Sequence, residues 1–528
     1  MDRANALRWA ATMAFALLAL PLVARADPHL CDPRAYGAKG DGRTLDTRPI
    51  QAAIDACAHA GGGIVAFTPG RYVSGTVFLA SNLTLHLGEG AVLQGSPNVA
   101  DYVTAASIGL GTDEGYDKAG EGTNAGLIVA KNVHDVAITG PGTIDGNGSS
   151  FMTAAPHIPA DYSPEAVRNP QAFEAAMRDP SYGPLEPKAS GRPGVLILFF
   201  HASRLTVDGI HLANTPNWTL VFQDVQHGTV TNLSVLNAMD VPNADGVDCN
   251  QCRDMHFMNG LIHAGDDCFA FFESEDVTVT GFGLESRSSA IQVESTRRAV
   301  FSALTIDSNR GVSLYAANRR SGGTDGVIFN GIAMRTRLLP GHWWGKGEPI
   351  YVSVQPCVAG RVCGGLIRNV VFADIDAEAA AGIVIAGAPA HEVEGLELRN
   401  LRLRMVPPSP RHATVIAHGA INGEPHQASR RGCSFARRWH DRQKSARHFA
   451  CLDRARSAFA SNLQDARRSS RGATCAGSRV SSAACPGRTV RRKRSPGTRS
   501  YFQIVLALAI GRSVRRPRHA TSTGNIAW

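Results

Sequence analysis

The sequence lacks three features that would otherwise direct its interpretation. Beyond the first 26 residues no apolar segment is long enough to cross a bilayer, since the stretch Phe502–Ile510 has about half the length of a membrane helix. Cys249 and Cys252 form a Cys-x-x-Cys motif, but no second such motif or His pair lies at ligand spacing. Acidic residues are nearly absent from the C-terminal part. We therefore predict no metal, no cofactor and no membrane association.

The charge is divided unevenly along the 528 residues. Of the 54 basic and 45 acidic residues, 24 and 4 lie in 405–528, which leaves 30 and 41 in 1–404. Arginine outnumbers lysine 22 to 2 in the tail. The tail has three interpretations: a nucleic-acid-binding arm, a disordered segment, or the product of a frameshift. We favour the frameshift, because the β-periodicity stops near residue 404, and we expect no nucleic-acid partner.

The N-terminus has the pattern of a secretory signal over residues 1–26. Arg3 and Arg8 precede the apolar stretch Trp9–Val23, and the small-x-small sequence Ala24-Arg25-Ala26 follows it. An uncleaved membrane anchor is the alternative. The pattern predicts a secreted or periplasmic protein. In such a compartment some cysteines could pair, and Cys357 with Cys363 is the closest candidate.

Short β-rich runs recur in the body of the chain at a regular spacing. Strand starts fall 21 to 28 residues apart, near Gly194, Asn217, Asp245, Cys268, Ala290 and Gly311. A β-sandwich also has many short strands, but this period favours a solenoid. A helical pattern at Thr47–Ala60 would cap the N-terminal end. We predict an all-β fold, a right-handed parallel β-helix over 27–404 with a long loop at 148–193.

Three acidic residues recur at the coil spacing. Asp245 lies 21 and 22 residues before Asp266 and Asp267, so one coil would bring all three carboxylates together. Aspartate before glycine is also common in turns, which is the alternative explanation for Asp245. Crowded carboxylates cannot all ionise normally, and a protonated one beside an ionised one is what cleavage of a glycosidic bond requires.

The motifs around these residues resemble those of glycoside hydrolase family 28, the polygalacturonase family. The resemblance covers about residues 32–400 and is carried by Tyr36-Gly37-Ala38-Lys39-Gly40-Asp41-Gly42, Gly140-Pro141-Gly142-Thr143-Ile144-Asp145-Gly146, Asn214-Thr215-Pro216, Asn243-Ala244-Asp245 and Gly265-Asp266-Asp267. It implies a right-handed parallel β-helix that hydrolyses pectic polysaccharide with inversion. Asp266 then resembles the general acid, Asp245 and Asp267 the pair that activates water, and Asn243 a substrate-binding residue. Inversion predicts acid and base roughly 6.5–9.5 Å apart.

Two segments depart from the family pattern. Ser286-Arg287-Ser288-Ser289-Ala290 stands where Gly-His-Gly is usual, and Ser313-Leu314-Tyr315 where an Arg-Ile-Lys motif grips the substrate carboxylate. We predict that other groups bind substrate instead: Arg287, Arg310, Tyr315, Trp343, Trp344 and Lys346. Solvated turn arginines and a packed tryptophan loop are the alternatives.

The sequence leaves more than one function open. A monomeric, inverting hydrolase of pectic polysaccharide or oligogalacturonide is the leading hypothesis. A pectate lyase on the same fold, which would need Ca²⁺, is the second. An inactive carbohydrate-binding solenoid is the third.

Overall fold

The computed structural model describes residues 29–110, 125–154, 185–316, 323–337, 345–354, 365–387, 393–406 and 503–506. The signal at 1–26, the Cys357–Cys363 pair and nearly all of the basic tail lie outside these residues. None of the described helices is both long and apolar enough to cross a membrane.

Parallel strands make up most of the described chain. In order they are β1 Leu30–Cys31, β2 Asp41–Leu45, β3 Gly63–Phe67, β4 Gly70–Ser74, β5 Val77–Phe78, β6 Leu83–Leu87, β7 Ala91–Gly95, β8 Ile128–Lys131, β9 His134–Thr139, β10 Thr143–Asp145, β11 Met152–Ala154, β12 Leu185–Pro187, β13 Val195–Asp208, β14 His211–Ala213, β15 Trp218–Leu236, β16 Val247–Asn250, β17 Arg253–Ala264, β18 Phe269–Phe272, β19 Glu275–Glu294, β20 Arg297–Ala316, β21 Gly323–Thr336, β22 Ile350–Val354, β23 Leu366–Ala379, β24 Ile383–Ala386, β25 Val393–Met405 and β26 Gln503–Leu506.

Each coil stacks on the one before it in parallel register. Leu220 of β15 pairs with Val247 of β16, which pairs with Phe269 of β18, and the column continues through Ile291 and Val312. All five side chains are fully buried. The predicted right-handed parallel β-helix is confirmed, and the parallel pairing is incompatible with the β-sandwich alternative. Antiparallel pairs among the described residues are β11–β12 and β24–β26.

Among the described residues one α-helix, α1, spans Thr47–His59 and covers the N-terminal coils, close to the predicted bounds. Its buried face consists of Ile50, Ala53, Ile54 and Cys57. A disulfide joins Cys57 to Cys31 of β1, which fixes the helix to the first strand. Short 3-10 helices lie at Pro33–Tyr36, Val99–Asp101, Ala106–Ile108 and Gly148–Phe151.

Two other sequence expectations concern local segments. Cys249 and Cys252 form a disulfide with each other. Their sulfur atoms are therefore not the free thiolates that a metal site at a Cys-x-x-Cys motif would need. Residues 155–184 of the predicted loop lie outside the described part of the chain. The two ends of that segment meet, because β11 and β12 pair in antiparallel fashion.

Stacked phenylalanines fill the C-terminal half of the core. The ring centroid of Phe329 lies 4.8 Å from that of Phe301 and 4.7 Å from that of Phe372 on the neighbouring coils. Phe329 is fully buried, whereas Ile328 beside it points outward and is 40% exposed.

We expect Phe329→Ala to lower the free energy of unfolding by about 3–5 kcal/mol, because it leaves a cavity between two stacked rings. The matched change Ile328→Ala should alter it by only about 0.5 kcal/mol. Urea titration of both variants measures this. Equal losses would contradict the register, because a shift of one residue exchanges the inner and outer faces.

Candidate active site

The register of two adjacent coils brings the three aspartates together. Asp245 lies in the turn before β16, while Asp266 and Asp267 lie in the turn before β18. The Gly246 N–H donates to the Asp267 carbonyl oxygen over 2.9 Å, which joins the two turns. One carboxylate oxygen from each of the three aspartates lies within 4.8 Å of the others. The sequence spacing therefore predicts this convergence correctly.

Close packing between the turns explains the glycines beside these aspartates. A Cβ at Gly246 would lie 2.5 Å from the Cys268 carbonyl oxygen, and one at Gly265 would lie 2.4 Å from the Val241 carbonyl oxygen. Any side chain at either position would push the coils apart. Asp245 and Gly246 do lie in a turn, as the alternative explanation held. That turn also directs the Asp245 carboxylate toward those of Asp266 and Asp267.

Asp248 adds a fourth carboxylate that the sequence analysis missed. It lies on β16 between core-facing Val247 and Cys249, so its side chain points away from the core. It is 1% exposed, and within the described part of the chain neither of its carboxylate oxygens has a hydrogen-bond partner. The signal was available, because a charged residue interrupts an otherwise apolar strand.

Burial raises the pKa of every carboxyl in the cluster. For Asp266 burial raises the pKa to about 6, against the opposing effects of the Ser288 side chain and the Arg192 charge. For Asp267 burial and the Asp266 charge raise the pKa to about 8. Burial, followed by the neighbouring carboxylates, raises the pKa of Asp245 and Asp248 well above the usual range. The four groups therefore titrate together and retain protons near neutral pH.

The order of the two pKa values differs from the roles that the resemblance implies. Asp267 keeps its proton to a higher pH than Asp266, whereas Asp266 resembles the general acid. The positive charge of Arg192 is one reason for the lower value at Asp266. Because the carboxyls interact, a proton on either one is available to the cluster.

The segment that replaces Gly-His-Gly supports the two aspartates from the next coil. The Ser286 hydroxyl donates to the Asp266 carbonyl oxygen over 2.5 Å. The Ser289 N–H donates to Asp267 Oδ1 over 2.9 Å. The Ser288 N–H in turn donates to Ser286 Oγ over 2.7 Å. These serines, which the sequence analysis treated only as a departure, hold the turn in place.

Two of the predicted substrate-binding residues are engaged within the protein. The guanidinium of Arg310 lies 3.8 Å from the ring centroid of Tyr351, and Nη2 lies 3.5 Å from Glu348 Oε1. Arg310 is 4% exposed, so it is not a solvated turn arginine. Asn243 accepts a hydrogen bond at Oδ1 from Arg192. Contact of Arg310 with substrate stays a prediction and requires its guanidinium to leave Glu348.

Three of the remaining predicted substrate-binding residues lie in the described part of the chain. Arg287 is half-buried on β19 between Ser286 and Ser288, and Tyr315 is half-buried on β20. Lys346 is half-buried, and its backbone N–H donates to Glu348 Oε2 over 2.5 Å. Trp343 and Trp344 lie outside the described residues.

The spacing of the carboxylates differs from the sequence-based expectation. Oxygens within 4.8 Å of one another are closer than the window of roughly 6.5–9.5 Å that was expected for an inverting acid and base. A water that donates to two oxygens at about 2.8 Å each, at a tetrahedral angle, spans roughly 4.6 Å. The observed spacing suits one water held between two carboxylates. Oxygens this close, all from aspartates, are also suitable ligands for a hard cation such as Ca²⁺.

Comparison with known proteins relates two segments of the chain to known families. Residues 188–336 match the family model described as glycosyl hydrolases family 28, and residues 34–151 match one described as rhamnogalacturonase A/epimerase, pectate lyase-like. A probable polygalacturonase of Vitis vinifera is 26% identical, over 49% of this chain and 47% of the relative. An exo-poly-alpha-D-galacturonosidase of Dickeya chrysanthemi is 28% identical, over 46% and 42%. The chain thus spans less than half the length of these two relatives.

Among solved structures, the family 28 exopolygalacturonase of Yersinia enterocolitica is similar with a TM-score of 0.49 and 18% identity, over 72% of this chain and 78% of that one. The family match at 188–336 includes Asp245, Asp266 and Asp267, the residues that the coil register brings together. This part of the chain, residues 188–336, is therefore similar to glycosyl hydrolases family 28.

Proposed function

We propose that this protein is a polygalacturonase-like glycoside hydrolase that cleaves glycosidic bonds in pectic polysaccharide. The observation that carries the proposal is the convergence of three buried carboxylates within 4.8 Å, two of them on one turn and the third on the adjacent coil. The family match over residues 188–336 and the names of the two curated relatives support the pectic substrate.

The proposed mechanism assigns each aspartate one role. Asp266 donates a proton to the oxygen of the leaving sugar, which its raised pKa permits near neutrality. Asp245 and Asp267 together orient and deprotonate the attacking water, which the spacing of their oxygens suits. Attack by this water on the face opposite the leaving group inverts the anomeric configuration.

A calcium-dependent pectate lyase is the second candidate. The observation that favours it is the same cluster, since three carboxylates within 4.8 Å offer the oxygen ligands that Ca²⁺ prefers. The lyase would leave an unsaturated sugar at the new chain end, whereas hydrolysis leaves a saturated one.

We also propose that the protein is exported. The pattern of residues 1–26 supports this, as do the two disulfides, Cys31–Cys57 and Cys249–Cys252, because disulfides persist in oxidising compartments.

We expect Asp266→Asn to reduce kcat on polygalacturonate by about 10²–10⁴-fold, because the amide cannot donate the proton that the leaving oxygen needs. Reducing-end assays measure the turnover, and far-ultraviolet circular dichroism checks the fold. Asp224→Asn, an exposed aspartate bonded to His201, is the matched control and should retain wild-type activity. Wild-type turnover by Asp266→Asn would refute the assignment.

The activity should fall as the pH rises from about 6 to about 8. The reaction needs a proton on Asp266, and its pKa of about 6 places the loss of that proton at the start of this interval. A profile of kcat/KM between pH 4 and pH 9 tests this. Activity that keeps rising to pH 9 would show that the cluster does not act as a proton donor.

Product analysis separates the two candidate enzymes. Incubation of polygalacturonate with the protein should release reducing ends without ultraviolet absorbance from an unsaturated product, both with added Ca²⁺ and with a chelator. NMR of the first product should show the inverted anomer. A calcium-dependent rise in absorbance would support the lyase, and a retained anomer would overturn the proposed roles of Asp245 and Asp267.

A further inference from the structure

A buried arginine that none of the sequence motifs includes lies beside the active-site turns. Arg192 precedes β13 and is 3% exposed. Arginine is almost never so completely buried unless its charge and its hydrogen-bond donors are matched by partners. Such a residue, which lies two coils before the turn of Asp245, needs a specific explanation.

The hydrogen bonds of Arg192 connect two successive turns. Nη1 donates to the carbonyl oxygens of Pro216 and Pro242, over 2.9 Å and 2.6 Å. Nη2 donates to Asn243 Oδ1 over 2.9 Å. Pro216 precedes β15, and Pro242 and Asn243 begin the turn that leads to Asp245. One planar guanidinium therefore fixes the turn carrying Asp245 against the coil before it.

The backbone at Asn243 makes this clamp more consequential. Asn243 has a φ of 56°, in the left-handed region that asparagine tolerates better than most residues. Asp245 follows two residues later, so a change in this turn moves its carboxylate relative to Asp266 and Asp267. A displacement of about 1 Å in such a group can cost about 10²-fold in rate.

The charge of Arg192 also acts on the cluster. Four buried carboxylates lie on the adjoining turns and β16, and the positive charge of Arg192 opposes the rise in the pKa of Asp266 that burial causes. An opposite charge close to a carboxyl favours its ionised form. The same side chain thus provides both geometry and charge.

We propose that Arg192 is a positioning residue for the proposed hydrolysis: it clamps the turn of Asp245 and supplies the positive charge that lets part of the carboxylate cluster ionise. The inference rests on the proposed function where it concerns turnover. Its electrostatic part can be tested without any substrate.

The test compares Arg192→Gln, which removes the charge and shortens the side chain, with Arg192→Lys, which keeps the charge but cannot reach three acceptors in a plane. We expect Arg192→Gln to lower kcat about 10–100-fold with KM little changed, and to move the fall in activity to higher pH by about one pH unit. Arg192→Lys should lose part of kcat but keep the wild-type pH dependence. Arg204→Gln, which removes an exposed arginine bonded to Asp135, should match the wild type.

A second measurement uses thermal stability alone. Carboxyls with raised pKa values stabilise the fold at low pH and lose that contribution as the pH rises through the folded pKa. The melting temperature should therefore fall between pH 5 and pH 8, and it should fall further in Arg192→Gln than in the wild type or Arg192→Lys. If the wild type hydrolyses no pectic substrate, the proposed function fails, but this comparison still tests Arg192.

Two results would overturn the inference. One is the same pH dependence of stability and activity in Arg192→Gln and the wild type, which would leave Arg192 only a packing role. The other is failure of both variants to fold, which would make Arg192 a structural residue of the coil and not a positioning residue of the site.

Discussion

The parallel register between β16 and β18 is the constraint on which the rest of the site depends. It places the turn of Asp245 directly beside the turn of Asp266 and Asp267, and the glycines in both turns permit the close approach. A slip of one residue would exchange inward and outward side chains along both strands. The core column through Val247 and Phe269 prevents that slip, so the packing of the solenoid also sets the geometry of the carboxylates.

Sequence spacing was sufficient to predict the fold and the meeting of three aspartates, because the solenoid repeats a coil of nearly constant length. It was not sufficient for contacts between coils that are distant in sequence. Arg192 reaches Pro242 and Asn243 across 50 and 51 residues, and no local pattern encodes such a contact. Arg310 is a second example, because its partner Glu348 follows a segment with no countable period. The sequence predicted a substrate-binding side chain, with a solvated turn arginine as the alternative, and not an ion pair within the protein.

The departures from the family motifs gain a physical meaning from the structure. The serines of β19 donate hydrogen bonds to the turn of Asp266 and Asp267. These uncharged donors from the next coil thus fix the backbone of Asp266 and the carboxylate of Asp267. Neutral donors lower the pKa of Asp267 less than a neighbouring cation would. Asp267 therefore keeps its proton to a higher pH.

Proton retention also affects how an acidic site could accept the acidic polymer that is proposed as its substrate. Four ionised carboxylates would repel a galacturonate chain, and the body of the protein, with 41 acidic and 30 basic residues in 1–404, would add to that repulsion. Burial keeps part of the cluster neutral. In the proposed reaction, burial therefore both retains a proton for the leaving sugar and reduces the repulsion of the substrate. Arg192 acts in the opposite direction, since its charge favours ionisation of Asp266. At Asp266 the effect of burial is thus balanced by the hydrogen bonds from Ser288 and the Asp267 backbone together with this arginine, and that balance sets whether Asp266 holds its proton.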